Sequence, residues 1–117
     1  MGTTIEVHGG DFTKGVGWFY PGVSFVLRAE NGRPVSIPFS QLEGVDDASE
    51  TSLQEFGADE TLRIDFEHAT ESVAAGHFLF IAKFADGRLL LASTDQNSFE
   101  EICAAGASNN GNGRENP

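Results

Sequence analysis

Three histidines, one cysteine and a dense run of carboxylates are the side chains with chemical potential. His8, His68 and His77 are scattered without the spacing of a zinc site. Asp46-Asp47, with Glu43 and Glu50, lacks the ligand periodicity and the glycine of a calcium loop. No metal and no cofactor is expected. Gly10 and Gly15 have the gap of a phosphate loop, but Val16 stands where that loop needs Lys. Together with Gly9 and Gly17 they read as turn glycines, since Gly tolerates backbone angles that other residues resist. Cys103 lies on an apolar helical face, where a thiolate is disfavoured, and reads as a small core residue. No Ser, His and acid set stands out. Trp18, Tyr20 and His77 are the candidates for a polar cluster in a barrel mouth, and no enzyme is expected from them.

The carboxylates are the one feature that stands out. Glu43, Asp46, Asp47, Glu50, Glu55, Asp59, Glu60, Asp65, Glu67 and Glu71 share their segment with one base, Arg63. That segment supplies −9 of the chain's formal −11. Such a charge keeps a protein soluble whatever else it does. It also excludes a binder of DNA, RNA or an anionic membrane, because phosphate contact needs Lys and Arg. The complementary partner is a basic protein surface. Glu43, Asp46, Asp47, Glu50, Asp59, Glu60, Asp65 and Glu67 are the expected partner-binding residues. Leu62, Ile64 and Phe66 alternate with Arg63, Asp65 and Glu67, which predicts a half-buried strand. On that strand Asp65 and Glu67 would lie on one face, about 6.5–7 Å apart. That is close to the phosphate spacing along a nucleic-acid strand.

The elements that must position these residues follow from periodicity. The run from His77 to Cys103 organises the rest. Phe78, Phe80, Ala82 and Phe84 share one strand face, and Leu79 and Ile81 the other. A strand apolar on both faces is central and covered on both sides. Asp86-Gly87 turns the chain back into Leu89, Leu90 and Leu91. Thr94 or Asp95 then caps a short helix with Phe99, Ile102 and Cys103 on one face, stopping at Gly106. Upstream, Ile5 and Val7 mark a strand, as do Trp18 to Tyr20. Val23 to Ala29 and Val35 to Phe39 flank Asn31-Gly32, a strong hairpin signal. Pro38 puts the latter strand at an edge or bulge.

The sum is a mainly β (α+β) domain over residues 1–106: about seven antiparallel strands in a bent sheet or small barrel, with one C-terminal helix. An open antiparallel sheet backed by that helix is the second choice. Residues 107–117 lack apolar side chains and read as a disordered tail. No apolar run approaches a membrane span, and no basic region precedes an apolar stretch as in a signal peptide. With a single cysteine, a cytoplasmic location is expected.

The strand order, with the run GVSFVLRAENGRPVSIPFSQLEGVDDAS from Gly22 to Ser49, resembles the small bacterial pleckstrin-homology-like domains over roughly residues 4–105. The resemblance implies scaffolding and partner binding, not catalysis. Its phosphoinositide-binding members use a basic loop between the first strands. Here that region offers Lys14, with Arg28 and Arg33 further on.

Two functions are expected from these readings. The first is a non-enzymatic inhibitor that occupies a basic nucleic-acid-binding groove. In gross character the chain is similar to anti-CRISPR and other anti-defence proteins. The second is a pleckstrin-homology-like adaptor, or a homo-oligomer, that binds through a sheet edge at Val35–Ser40 or Ile5–His8.

Overall fold

The computed structural model describes residues 3–20 and 22–114, with side chains described as far as residue 105. Seven strands form one antiparallel sheet: β1 (Thr3–Gly10), β2 (Gly15–Tyr20), β3 (Ser24–Arg28), β4 (Pro34–Pro38), β5 (Leu42–Asp47), β6 (His77–Phe84) and β7 (Leu89–Asp95). Their spatial order is β4-β3-β2-β1-β7-β6-β5. The two outermost strands, β4 and β5, are consecutive in the chain. Only a single 3-10 turn, Phe39–Gln41, joins them. A connection that short forces the edges together, so the sheet curls into a half-barrel. Three helices complete the chain: α1 (Glu50–Phe56), α2 (Glu60–Ser72) and α3 (Gln96–Arg114). This architecture is compatible with the pleckstrin-homology-like resemblance.

The expected two-faced strand is β6, and β7 beside it is also apolar on both faces. Phe80, Ala82, Phe84, Leu90 and Ala92 face the hollow of the sheet, where they meet Ile5, Phe19, Phe25, Leu27 and Ile102. Ring contacts knit this core, with Phe25 4.9 Å from Phe39 and Phe12 5.8 Å from Phe84. Ile102 carries α3 into the hollow, and Asp95 Oδ1 caps that helix by accepting from Ser98 N at 2.8 Å. Ile81, Leu89 and Leu91 face the other way, onto Leu53 of α1 and Leu62 and Ala69 of α2. The helices therefore bury two different faces, which is why β6 and β7 are apolar on both.

The segment 62–67 is a helix, not the strand that alternation predicted. Leu62, Phe66 and Ala69 carry the inward face at helical spacing, while Ile64 is 47% exposed. Asp59 starts the helix by accepting from Leu62 N at 2.9 Å. Three apolar residues at period 2 fit a strand, but the apolar face that continues to Ala69 in a 13-residue helix, with a cap at its start, outweighs them. Nor is the C-terminal helix alone, since α1 and α2 stand between β5 and β6. Helix α3 runs through Gly106, the expected stop, to Arg114. The expected tail over 107–117 falls on residues whose side chains, and from 115 whose backbone, lie outside the described residues.

Candidate partner-binding surface

Helices α1 and α2 and strand β5 carry the eight expected binding residues, and the helical geometry sorts them. Glu43 is exposed, with Lys83 Nζ 4.0 Å away. Asp46 and Asp47 are exposed on β5. Glu50 and Glu60 lie in the first turns of α1 and α2, and Asp59 is the α2 N-cap. Carboxylates at those three positions meet free backbone N–H groups and the positive end of the helix dipole. Part of the acidic run is thus helix-starting chemistry. Glu67 is exposed on α2.

Asp65 behaves differently. Its side chain is only 13% exposed and pairs with Lys14 Nζ at 3.0 Å. It also packs against the backbone of Gly9, where an added Cβ would lie 2.6 Å from its Oδ2. Asp65 is a strut tying α2 to the first hairpin, not part of a free surface. On a helix, residues two apart point about 200° away from each other. The phosphate-like spacing expected of Asp65 and Glu67 is therefore absent.

Two clefts flank this strut. One, of about 340 Å³, is lined by Asp11 after β1, Glu30 after β3, and Asp59 and Asp65 of α2 and its cap. Glu30 carried no sequence signal and Asp11 only that of a turn residue beside His8, because the meeting of these turns depends on the curl. Asp11 Oδ2 accepts from Leu89 N at 2.8 Å, so it is already structural. The other cleft, of about 210 Å³, is lined by Glu6, His8, Lys14, Asp65, His68 and Ser72 among others. His8 sits where the β1–β7 register shifts, and its Nε2 is 2.9 Å from Ser93 Oγ. Ser93 is buried behind the ring, so this pair is not an exposed nucleophile and base.

Burial holds the His8 pKa below its ordinary 6.5, with Lys14 in the same sense and Glu6 opposing. The unfolded chain then takes up a proton that the folded chain refuses. Stability is complete above about pH 6.5 and falls as pH drops through the lowered folded value. Asp86, held low chiefly by the Arg88 backbone N–H, and Asp95, by that of Ser98, have the same sign. Their window lies below their ordinary 3.8, well separated from that of His8. His8→Gln is expected to flatten the loss of stability that sets in below about pH 6.5 and to leave the loss below about pH 3.8 unchanged. Urea midpoints across that range check it.

The expected enzyme candidates do not converge. Trp18 and Tyr20 are on β2, and His77 pairs with Asp95 across β6 and β7. With β1 and β7 between them, β2 and β6 are three strand spacings apart, about 14 Å. Among the described residues no three His, Cys, Asp or Glu side chains could hold a metal ion. Cys103 is half-buried, and burial pushes its thiol pKa up, with Asp47, Asp46 and Glu100 adding to the shift. No helix among the described residues is long and apolar enough to cross a membrane.

The β4 edge is guarded along its length and the β5 edge at Asp47. The bonds Ala29 N to Arg33 O and Phe39 N to Val23 O make the odd-numbered residues the bonded partners of β3 and β4. The N–H positions of 34, 36 and 38 therefore point outward, and two of these are Pro. On β5, Ala48 N bonds Leu79 O, which turns Asp47 outward. Its N–H is taken by Asp46 Oδ1 at 2.8 Å and its carbonyl by Ser52 Oγ at 2.6 Å. The other expected edge, Ile5–His8, is in β1, which is central and paired on both sides with β2 and β7. No family model, curated protein or solved structure matches the chain.

Proposed function

We propose that the protein is a non-enzymatic binding module whose β5–α1–α2 side docks on a basic protein surface. The partner class that fits best is a nucleic-acid-handling complex, whose groove the acidic side would occupy as an inhibitor. One observation carries this reading. Among the described residues the ion pairs engage only Glu43 and Asp65 of the ten acids between 43 and 71. Asp59 is taken up as a helix cap, and the exposed remainder carry charge that no Lys or Arg pairs, on rigid elements, which steers a basic partner and favours its association. The adaptor reading has less support, because the β4 edge expected to bind offers a single outward N–H between two prolines, and on β5 the outward groups of Asp47 are taken by Asp46 and Ser52.

The test changes Glu43, Asp46, Asp47 and Glu67 to Lys and leaves Asp59 and Asp65 in place. The parent is expected to capture a nucleic-acid-handling complex from host lysate, to release it with salt, and to be displaced by duplex DNA. The four-fold variant should lose that capture while unfolding at a similar urea concentration. Retained capture by a folded variant would sink the acidic-docking reading.

A further inference from the structure

Five large apolar side chains stay exposed among the described residues: Val16, Tyr20, Val23, Ile64 and Phe78. Only Ile64 lies on the acidic side, in the second turn of α2. Helix α2 buries Leu62 and Ala69 against the sheet. Ile64, two residues beyond Leu62, points about 200° round the helix from it and so away from the domain. The neighbours that share its direction are glutamates. Glu60 stands four residues before it, Glu67 three after and Glu71 seven after, each within about 60° of it on the helix. These four side chains form one exposed ridge about 16.5 Å long, flanked by Arg63 on one side and His68 on the other.

The fold does little to favour this ridge. No ion pair among the described residues engages Glu60, Glu67, Glu71 or Arg63. Glu67 and Glu71 are like charges four residues apart, which repel along a helix. Glu71 also lies in the last turn, which carries no base, at the negative end of the helix dipole. Solubility is served by charges anywhere on the surface and gives no reason to set an isoleucine among them. An apolar anchor within a polar rim is the composition of an interface hot spot, and the sign of the rim decides what fits.

We propose that the Ile64 ridge is the centre of the docking side and takes a basic helix of the partner, one that presents an apolar side chain between Lys or Arg side chains a turn away on each side. Spacing selects a helix. Around Ile64 the ridge residues succeed one another at about 4.5–6 Å, which matches the pitch of a helix and falls short of the roughly 6.8 Å between same-face residues of a strand. The apolar side chain packs on Ile64, and the bases reach Glu60, Glu67 and Glu71. The inference rests on the acidic-docking reading and narrows it: charge brings the partner in, and Ile64 selects which basic surface is held.

Two synthetic helical peptides test it on the full chain. One is an Ala- and Lys-based peptide of about 18 residues, with a single Leu between Lys residues a turn away on each side. Its twin has Ala in place of that Leu. By titration calorimetry the parent is expected to bind the Leu peptide about fivefold tighter than the twin, the effect of covering one half-exposed apolar side chain. Ile64→Ala should bind the two peptides alike, with the parent's affinity for the twin. Glu67→Gln combined with Glu71→Gln should weaken both peptides and keep the preference for Leu. Urea midpoints near that of the parent show that the variants are folded. A parent without the preference overturns the proposal, as does an Ile64→Ala variant that keeps it, or a doubly substituted variant that binds as tightly as the parent. Failure of both peptides to bind the parent overturns the acidic-docking reading as well, which sets that failure apart from the others.

Discussion

Asp65→Lys is expected to destabilise the fold by about 2–4 kcal/mol, while Glu67→Lys, two residues on, changes it by less than about 0.5 kcal/mol. The first removes a carboxylate that is 13% exposed and sets a second ammonium against Lys14. Lys14 is itself 64% exposed, so water offsets part of the penalty and the lower half of the range is the more apt. The packing loss remains, because Asp65 fills the space over Gly9 between α2 and β1. Urea unfolding of the two variants beside the parent gives the numbers. An Asp65→Lys change as mild as Glu67→Lys would make Asp65 one more surface acid. The distinction matters for function, since a charge reversal that includes Asp65 would lose binding by losing the fold.

Gly10→Ala is expected to cost about 3 kcal/mol or more, or to prevent folding. Gly10 has φ of +97°, and an added Cβ would be driven into the carbonyl oxygen of Leu89. That oxygen accepts from Asp11 N at 2.9 Å, and Asp11 Oδ2 accepts in turn from Leu89 N at 2.8 Å. Relief of the clash would therefore part the β1–β2 turn from β7. Gly15→Ala is the control. Its φ is +133°, but nothing lies within 4 Å of the added atom, so it bears only the conformational cost, about 1–3 kcal/mol. Thermal unfolding of both separates steric from conformational strain. Equal losses would show that the close approach to Leu89 is not what holds the turn.

The sheet was legible where burial imposes a clean period. Phe80, Ala82 and Phe84 against Leu79 and Ile81 announced a strand covered twice, and the structure covers it twice. What the residues could not announce was which element supplied the second cover. Leu62, Ile64 and Phe66 satisfy period 2, and only Ala69 and the Asp59 cap tip them to period 3.6. That one misreading displaced two site residues, because face and spacing both depend on the period. The exposed acids were legible as charge, since charge needs no fold to be counted. Their division into caps, strut and free surface was not, because Gly9 and Lys14 reach Asp65 only after the sheet has curled. The guarded edges depend likewise on register, which single residues do not encode.

The pairing of β1 with β7 sets a schedule for the chain's birth. Val7 lies opposite Ala92, so the first strand waits for β7 before it has both neighbours. Until then the meander β1–β4 has only its own hairpins, and the hollow that Ile102 will fill stands open. Contacts of such long sequence separation close slowly and late. On the ribosome the domain therefore folds only once β7 and Ile102 have emerged, and its apolar strands spend that interval in need of shelter.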